Sequence, residues 1–175
     1  MYSEKFKNLV LYVLRDSNYI DEGIKKLNKI LYFIDFYYYR DNERFISDVQ
    51  YAKAGMGPLI NGYKEIFKEM VNNGLLERKK INGCILHIPK DEVNLSVFLP
   101  EEIDHIRNIL ERYGKLSSVE LESISHEQQP WILTKNDGDI IDPDLALLID
   151  EGKTEEIKIE NEQIKKELVA LANKV

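Results

Sequence analysis

Residues 22–40 read EGIKKLNKILYFIDFYYYR, and the fold depends on how this run is read. At helical spacing Ile24, Leu27, Leu31, Ile34 and Tyr38 share one face. Ile30, Phe33 and Tyr37 add a second apolar stripe, so the middle of this helix is expected to be buried nearly all round. Its first turns are expected to keep Lys25, Lys26 and Lys29 outside, with Asp21 capping the N-terminus. Asp35 lies within the apolar run and needs a polar partner once buried.

The flanking sequence supplies the elements to surround it. Phe6, Leu9, Val10, Val13 and Leu14 make residues 4–16 an amphipathic helix. After the central helix comes AKAGMGP at 52–58, where Gly55 and Gly57 permit positive φ and Pro58 suits the first position of a third helix. That helix carries Leu59, Ile60, Tyr63, Ile66, Phe67, Met70 and Val71 on one face and stops at Gly74. LLERKKINGCILHIP at 75–89 reads as a hairpin turning on Asn82-Gly83. Val93, Leu95 and Val97 alternate and suggest one more short strand. Pro100, Glu101 and Glu102 open a helix with Ile103, Ile106, Leu110 and Tyr113 as its stripe, closed by Gly114. Ser117 and Glu120 form a capping box for a short helix to about His126. KNDGD at 135–139 is a turn, and Asp142-Pro143 starts a last short helix before Gly152. The expected class is therefore mainly α (α+β): a compact multi-helix domain over residues 1–152 with a small β-hairpin near residues 75–89. Residues 153–175 read as an appended amphipathic helix. Ile157, Asn161, Ile164, Leu168, Leu171 and Val175 form a heptad seam there, free to dock on its own domain, a partner or a second copy of the chain as a homodimer.

Composition narrows the function classes. The chain has 175 residues, enough for one substantial core. No apolar run is long enough for a bilayer, and the opening MYSEKFKNLV does not resemble a signal peptide. One cysteine, Cys84, excludes an intramolecular disulfide and points to the cytoplasm. Residues 1–90 carry 15 Lys/Arg against 11 Asp/Glu, and residues 91–175 carry 9 against 20. The acidic half repels phosphate backbones and attracts basic partners.

Chemistry is sparse. Cys84 and His87 form one isolated pair without a second at zinc spacing. Asp137, Asp139, Asp142 and Asp144 lack the glycine and ligand order of a calcium loop. No nucleophile elbow, P-loop or dinucleotide loop is present. The reading is a protein without catalytic residues, cofactor or metal. The helix at 59–73 and the hairpin residues Arg78, Lys79 and Lys80 imitate a recognition helix and wing, so a DNA-binding transcriptional regulator is the alternative. Lys64, Glu65, Lys68 and Glu69 balance on the exposed helix face, which argues against duplex DNA being bound by this chain alone. The stretch SHEQQPWIL at 125–133 holds the lone tryptophan. A histidine before it, with no nucleophile nearby, suggests that His126 ties down a loop and that the Trp131 indole fills core with its N–H on a carbonyl.

Three pieces together carry a resemblance. KLNKILYFIDFYY at 26–38, GPLINGYKEI at 57–66 and ELESISHEQQPW at 120–131, in this order, resemble the Panacea or SocA-like antitoxin family, which includes phage-associated GepA-like proteins. The resemblance spans about residues 5–150. Two features depart from the family pattern: KAGM stands where an aromatic usually precedes the Gly-Pro, and residues 155–175 lie beyond it. The resemblance implies a non-catalytic bacterial domain that neutralises a cognate protein toxin encoded beside it. In one branch the domain delivers its toxin to the ClpXP protease, and some relatives are fused to DNA-binding modules. The motif residues Lys26, Leu27, Lys29, Tyr32, Gly57, Pro58, Tyr63, His126, Pro130 and Trp131 become the candidates for partner binding.

Overall fold

The computed structural model describes residues 2–150. The seam expected over 153–175, and the boundary at 152, lie outside them.

Helix α1 spans Glu4–Arg15 and starts where the Ser3 hydroxyl accepts from Phe6 N at 3.1 Å. Helix α2, Ile24–Asn42, is the axis of the domain: every residue from Lys26 to Tyr38 is buried. It packs against α4 (Pro100–Tyr113), α5 (Ser118–His126) and a 3-10 turn at Pro143–Leu148. The all-round burial expected in its middle extends to the first turn, so Lys26 and Lys29 lie inside and only Lys25 stays exposed. The cap differs too. Gly23, at φ 95°, is the residue before the helix, and Asp21 accepts from Gly23 N at 2.8 Å. A Cβ on Gly23 would meet Ile85 O at 3.1 Å, so the hairpin backbone leans on this entry.

Asp35 has the partners its burial demands. Ser47 N donates to it at 2.8 Å and Tyr51 Oη at 2.7 Å, with the Ser47 hydroxyl as a third donor. This fastens the chain leaving α2 and leads into β1, Tyr51–Ala52, which pairs antiparallel with β2, Leu59–Ile60. These strands close the AKAGMG loop, and the expectation that Pro58 opens a helix fails here. Ile60 N donates to Asn28 Oδ1 at 2.8 Å, which holds residues 59–60 extended, and α3 begins only at Tyr63, after Gly62 in the left-handed region.

The hairpin is as expected. β3, Leu76–Ile81, pairs with β4, Cys84–Pro89, and Asn82 and Gly83 both take positive φ, as a type I′ turn requires. The strand expected at 93–97 is instead a 3-10 turn, Leu95–Val97: Asn94 Oδ1 accepts from Ser96 N and Oγ and bends the chain. The Glu102 carboxylate is buried in the first turn of α4. It takes Leu99 N at 3.0 Å, Lys5 at 2.7 Å and Arg44 at 2.9 Å, joining α4 to α1 and to the segment after α2. A short helix α6, Gln129–Leu133, follows α5; the proline at its start suits a first helical turn.

Candidate functional site

The three sequence motifs converge. Gly57, at φ 95°, passes so close to α2 and α5 that a Cβ would stand 2.8 Å from Ser125 Oγ and 3.1 Å from Lys29 Cε. Ala54 O, in the same loop, accepts from Trp131 Nε1 at 3.1 Å, the indole–carbonyl bond expected from sequence. The indole is half-buried rather than core, however. The His126 ring stacks on it with centroids 3.9 Å apart, and the Lys53 ammonium lies 4.2 Å from the indole centroid while donating to Thr134 O at 2.7 Å.

Beneath this lies a polar chain. Tyr32 Oη donates to Gln128 Oε1 at 3.1 Å, Gln128 Nε2 donates to Tyr37 Oη at 2.7 Å, and Tyr37 and Tyr113 share a hydroxyl contact at 3.1 Å. Burial holds the Tyr32 phenol far above its usual pKa, so it serves as a donor. Gln128 is the residue that sequence reading missed. Nothing in its local pattern distinguishes it from Gln129, which is exposed.

Lys26 and Lys29 are the unusual pair. Neither ammonium has a hydrogen-bond partner among the described residues, although Lys26 Nζ lies 5.2 Å from the Tyr19 ring centroid. Burial lowers both pKa values; nearby carboxylates, chiefly Glu22 for Lys26 and Glu122 for Lys29, oppose it. His126 Nε2 is likewise buried without a partner. The neighbouring Ser125 hydroxyl donates backward to Glu122 O at 2.8 Å and so is engaged within its own helix.

The motif residues therefore divide. Lys26, Leu27, Lys29, Tyr32, Gly57, Pro58 and Pro130 are buried; His126 and Trp131 are half-buried. Tyr63 stands apart from them. It lines a cleft of about 400 Å3 between α3 (Tyr63–Asn72) and the hairpin, with Ile24, Phe67, Ile85 and His87 as its other uncharged walls. Lys64, Lys68 and Arg78 stand at its rim. The alternation of β3 splits the Arg78, Lys79, Lys80 group: Arg78 lies opposite His87 and Lys80 opposite Ile85 on the cleft face, while Lys79 lies on the other face beside Glu77 at 3.5 Å. The same alternation puts Cys84, which is exposed, and His87, which is buried, on opposite faces of β4. Among the described residues, no three His, Cys, Asp or Glu side chains are placed to hold a metal, and no helix is long and apolar enough to cross a membrane.

The family described as antitoxin SocA-like, Panacea domain, matches residues 27–132. The chain belongs to this family. No curated protein and no solved structure matches it. The Panacea span begins one residue after Lys26 and ends one residue after Trp131. It holds all but the first turn of α2, the Gly57 loop and the His126–Trp131 stack, which meet in the converged site, and also the hairpin that walls the Tyr63 cleft. Helix α1 and the 3-10 turn at Pro143–Leu148 complete the domain from outside the Panacea match.

Proposed function

We propose that this chain is the antitoxin of a bacterial or phage type II toxin–antitoxin pair, a non-catalytic protein that neutralises its toxin by direct binding. The observation that carries the reading is the match of most of the domain to an antitoxin family. The geometry supports it in a particular way. The motif residues are largely interior, so they act as a scaffold that sets the relation of α2, the Gly57 loop and α5–α6. The partner is met by side chains outside this buried set.

One observation favours the second reading, a DNA-binding regulator: Lys64, Lys68 and Arg78 line one cleft, with Lys80 further along the same face of β3. Glu65 and Glu69, on the outer face of α3 next to these lysines in sequence, oppose a phosphate backbone. Lys79 faces away, so the expected three-residue basic wing is reduced to two. The antitoxin reading therefore stands first.

The test is growth. The reading frame adjacent to this gene is expressed from an inducible promoter with and without this chain. Arrest by the neighbour alone and rescue by co-expression is the expected result. Falling toxin abundance during rescue, dependent on a ClpXP-type protease, assigns the adaptor mode; unchanged abundance assigns sequestration. A harmless neighbour, or arrest that this chain does not relieve, contradicts the reading.

A further inference from the structure

We propose that the cleft between α3 and the β3–β4 hairpin receives an acidic, apolar-tipped segment of the toxin. The inference rests on the antitoxin reading and adds to it the surface used and the chemistry selected.

The cleft is amphipathic in a way a merely solvated face is not. Its floor has Phe67 buried below, Ile24 and Tyr63 half-covered, and Ile85 44 % exposed. An apolar side chain entering between Tyr63 and Ile85 removes this surface from water. The charged side chains that line the cleft are all positive, and the one carboxylate beside its His87 wall, Asp21, accepts from His87 N at 3.4 Å. Lys64 and Lys68 are one turn apart on α3, adjacent to the Tyr63–Phe67 stripe. Arg78 faces them from β3, with Lys80 further along the same strand face. Among the described residues, the side chains of Lys64, Lys68 and Arg78 have no ion pair or hydrogen bond, whereas Lys79 and Lys90 both pair with Glu77, at 3.5 and 3.1 Å. Glu65 and Glu69 lie about 100° further round α3 than their lysine neighbours and do not line the cleft. At its wall, His87 is 6 % exposed and its Nδ1 has no hydrogen-bond partner. Three uncompensated cations around an apolar floor select carboxylates flanking an apolar side chain. A DNA duplex fits less well: it presents no apolar tip to fill the floor, and it meets the Glu65 and Glu69 carboxylates on the outer face of α3.

The experiment uses the full chain and a catalytically inactivated form of the toxin from the adjacent reading frame. The Lys64→Glu/Lys68→Glu/Arg78→Glu variant changes only exposed side chains, so its circular dichroism should match the parent. Its affinity for the toxin is expected to fall at least tenfold, with growth protection lost. Lys79→Glu, on the opposite face, should stay within about twofold of the parent. Added salt should weaken the parent complex and leave the residual binding of the triple variant nearly unchanged. The milder Lys64→Ala/Arg78→Ala variant should fall between them, which separates a charge effect from a folding defect. Parental toxin affinity and salt dependence in the triple variant overturn the proposal, as does a triple variant that loses only binding to its own promoter duplex. A parent chain that does not bind the toxin at all removes the antitoxin reading, and the cleft assignment with it.

Discussion

Asp35 shows how one residue can be read correctly as a problem while its solution stays hidden. Its place among apolar neighbours announced a buried carboxylate; its donors, Ser47 and Tyr51, lie in a loop no local pattern ties to it. Burial lifts its pKa to about 6, opposed by these hydrogen bonds. A carboxyl whose folded pKa lies above its unfolded value binds its proton more tightly when folded. Its stabilising contribution is thus complete below the unfolded value of 3.8 and is lost as pH rises through about 6. The stability difference between the parent and Asp35→Asn should therefore shrink by about 2–3 kcal/mol between pH 4 and pH 8, measured by urea denaturation at each pH. A difference that grows with pH contradicts the assignment. Lys29 makes the converse case. Its ammonium is buried without a hydrogen-bond partner, so Lys29→Met should leave stability unchanged or raise it by up to about 2 kcal/mol. A loss of several kcal/mol in the same denaturation assay would reveal a strong interaction made by that ammonium. Gly57 is held at φ 95° against Ser125 and Lys29, so Gly57→Ala should cost about 1–3 kcal/mol in the same measurement. An unchanged midpoint would mean that the loop relaxes freely.

Among the elements, those with a strong repeat of their own were legible. Helices α1, α2 and α4 follow apolar periodicity, α5 follows its Ser117–Glu120 capping box, and the β3–β4 hairpin follows Asn82-Gly83. Elements fixed by remote partners were not. Residues 59–60 share the apolar face of the helix that follows, yet Asn28 and Tyr51–Ala52 hold them extended. Residues 93–97 alternate like a strand, but a strand needs a neighbour, and Asn94 instead bends the chain into a turn. Lys26 and Lys29 looked external because they are charged; the closeness of Gly57 and α5, which covers Lys29, is visible only in three dimensions. The candidate site divides in the same way. Its motif pieces were readable in sequence, but their meeting place, and Gln128 between Tyr32 and Tyr37, were not. Helix α6 carries the indole that joins the third motif to the loop just before the second. Because Trp131 is half-buried, Trp131→Ala should cost about 2 kcal/mol, less than the loss expected for a fully buried indole. Thermal melting of the variant checks this, and a loss as large as that of a core tryptophan would place the ring deeper than the fold does.

The whole molecule joins a basic N-terminal half, which carries the cleft cations, to an acidic C-terminal half. Charge this asymmetric favours oriented encounter with a partner of complementary pattern, and it should make association faster at low salt. The seam read in residues 153–175 makes a further sequence-based prediction: deleting it should lower the melting temperature if it serves this domain. Unchanged melting with lost protection of cells would place the seam in the toxin interface. The account as a whole rests on direct binding. Titration calorimetry of the purified full chain with the inactivated product of the adjacent reading frame, with no protease present, tests it most directly. The account predicts a saturable heat at fixed stoichiometry, a dissociation constant of roughly micromolar or tighter, and co-elution of the two proteins on gel filtration. No heat and separate elution, with both proteins folded and tens of micromolar, would contradict it.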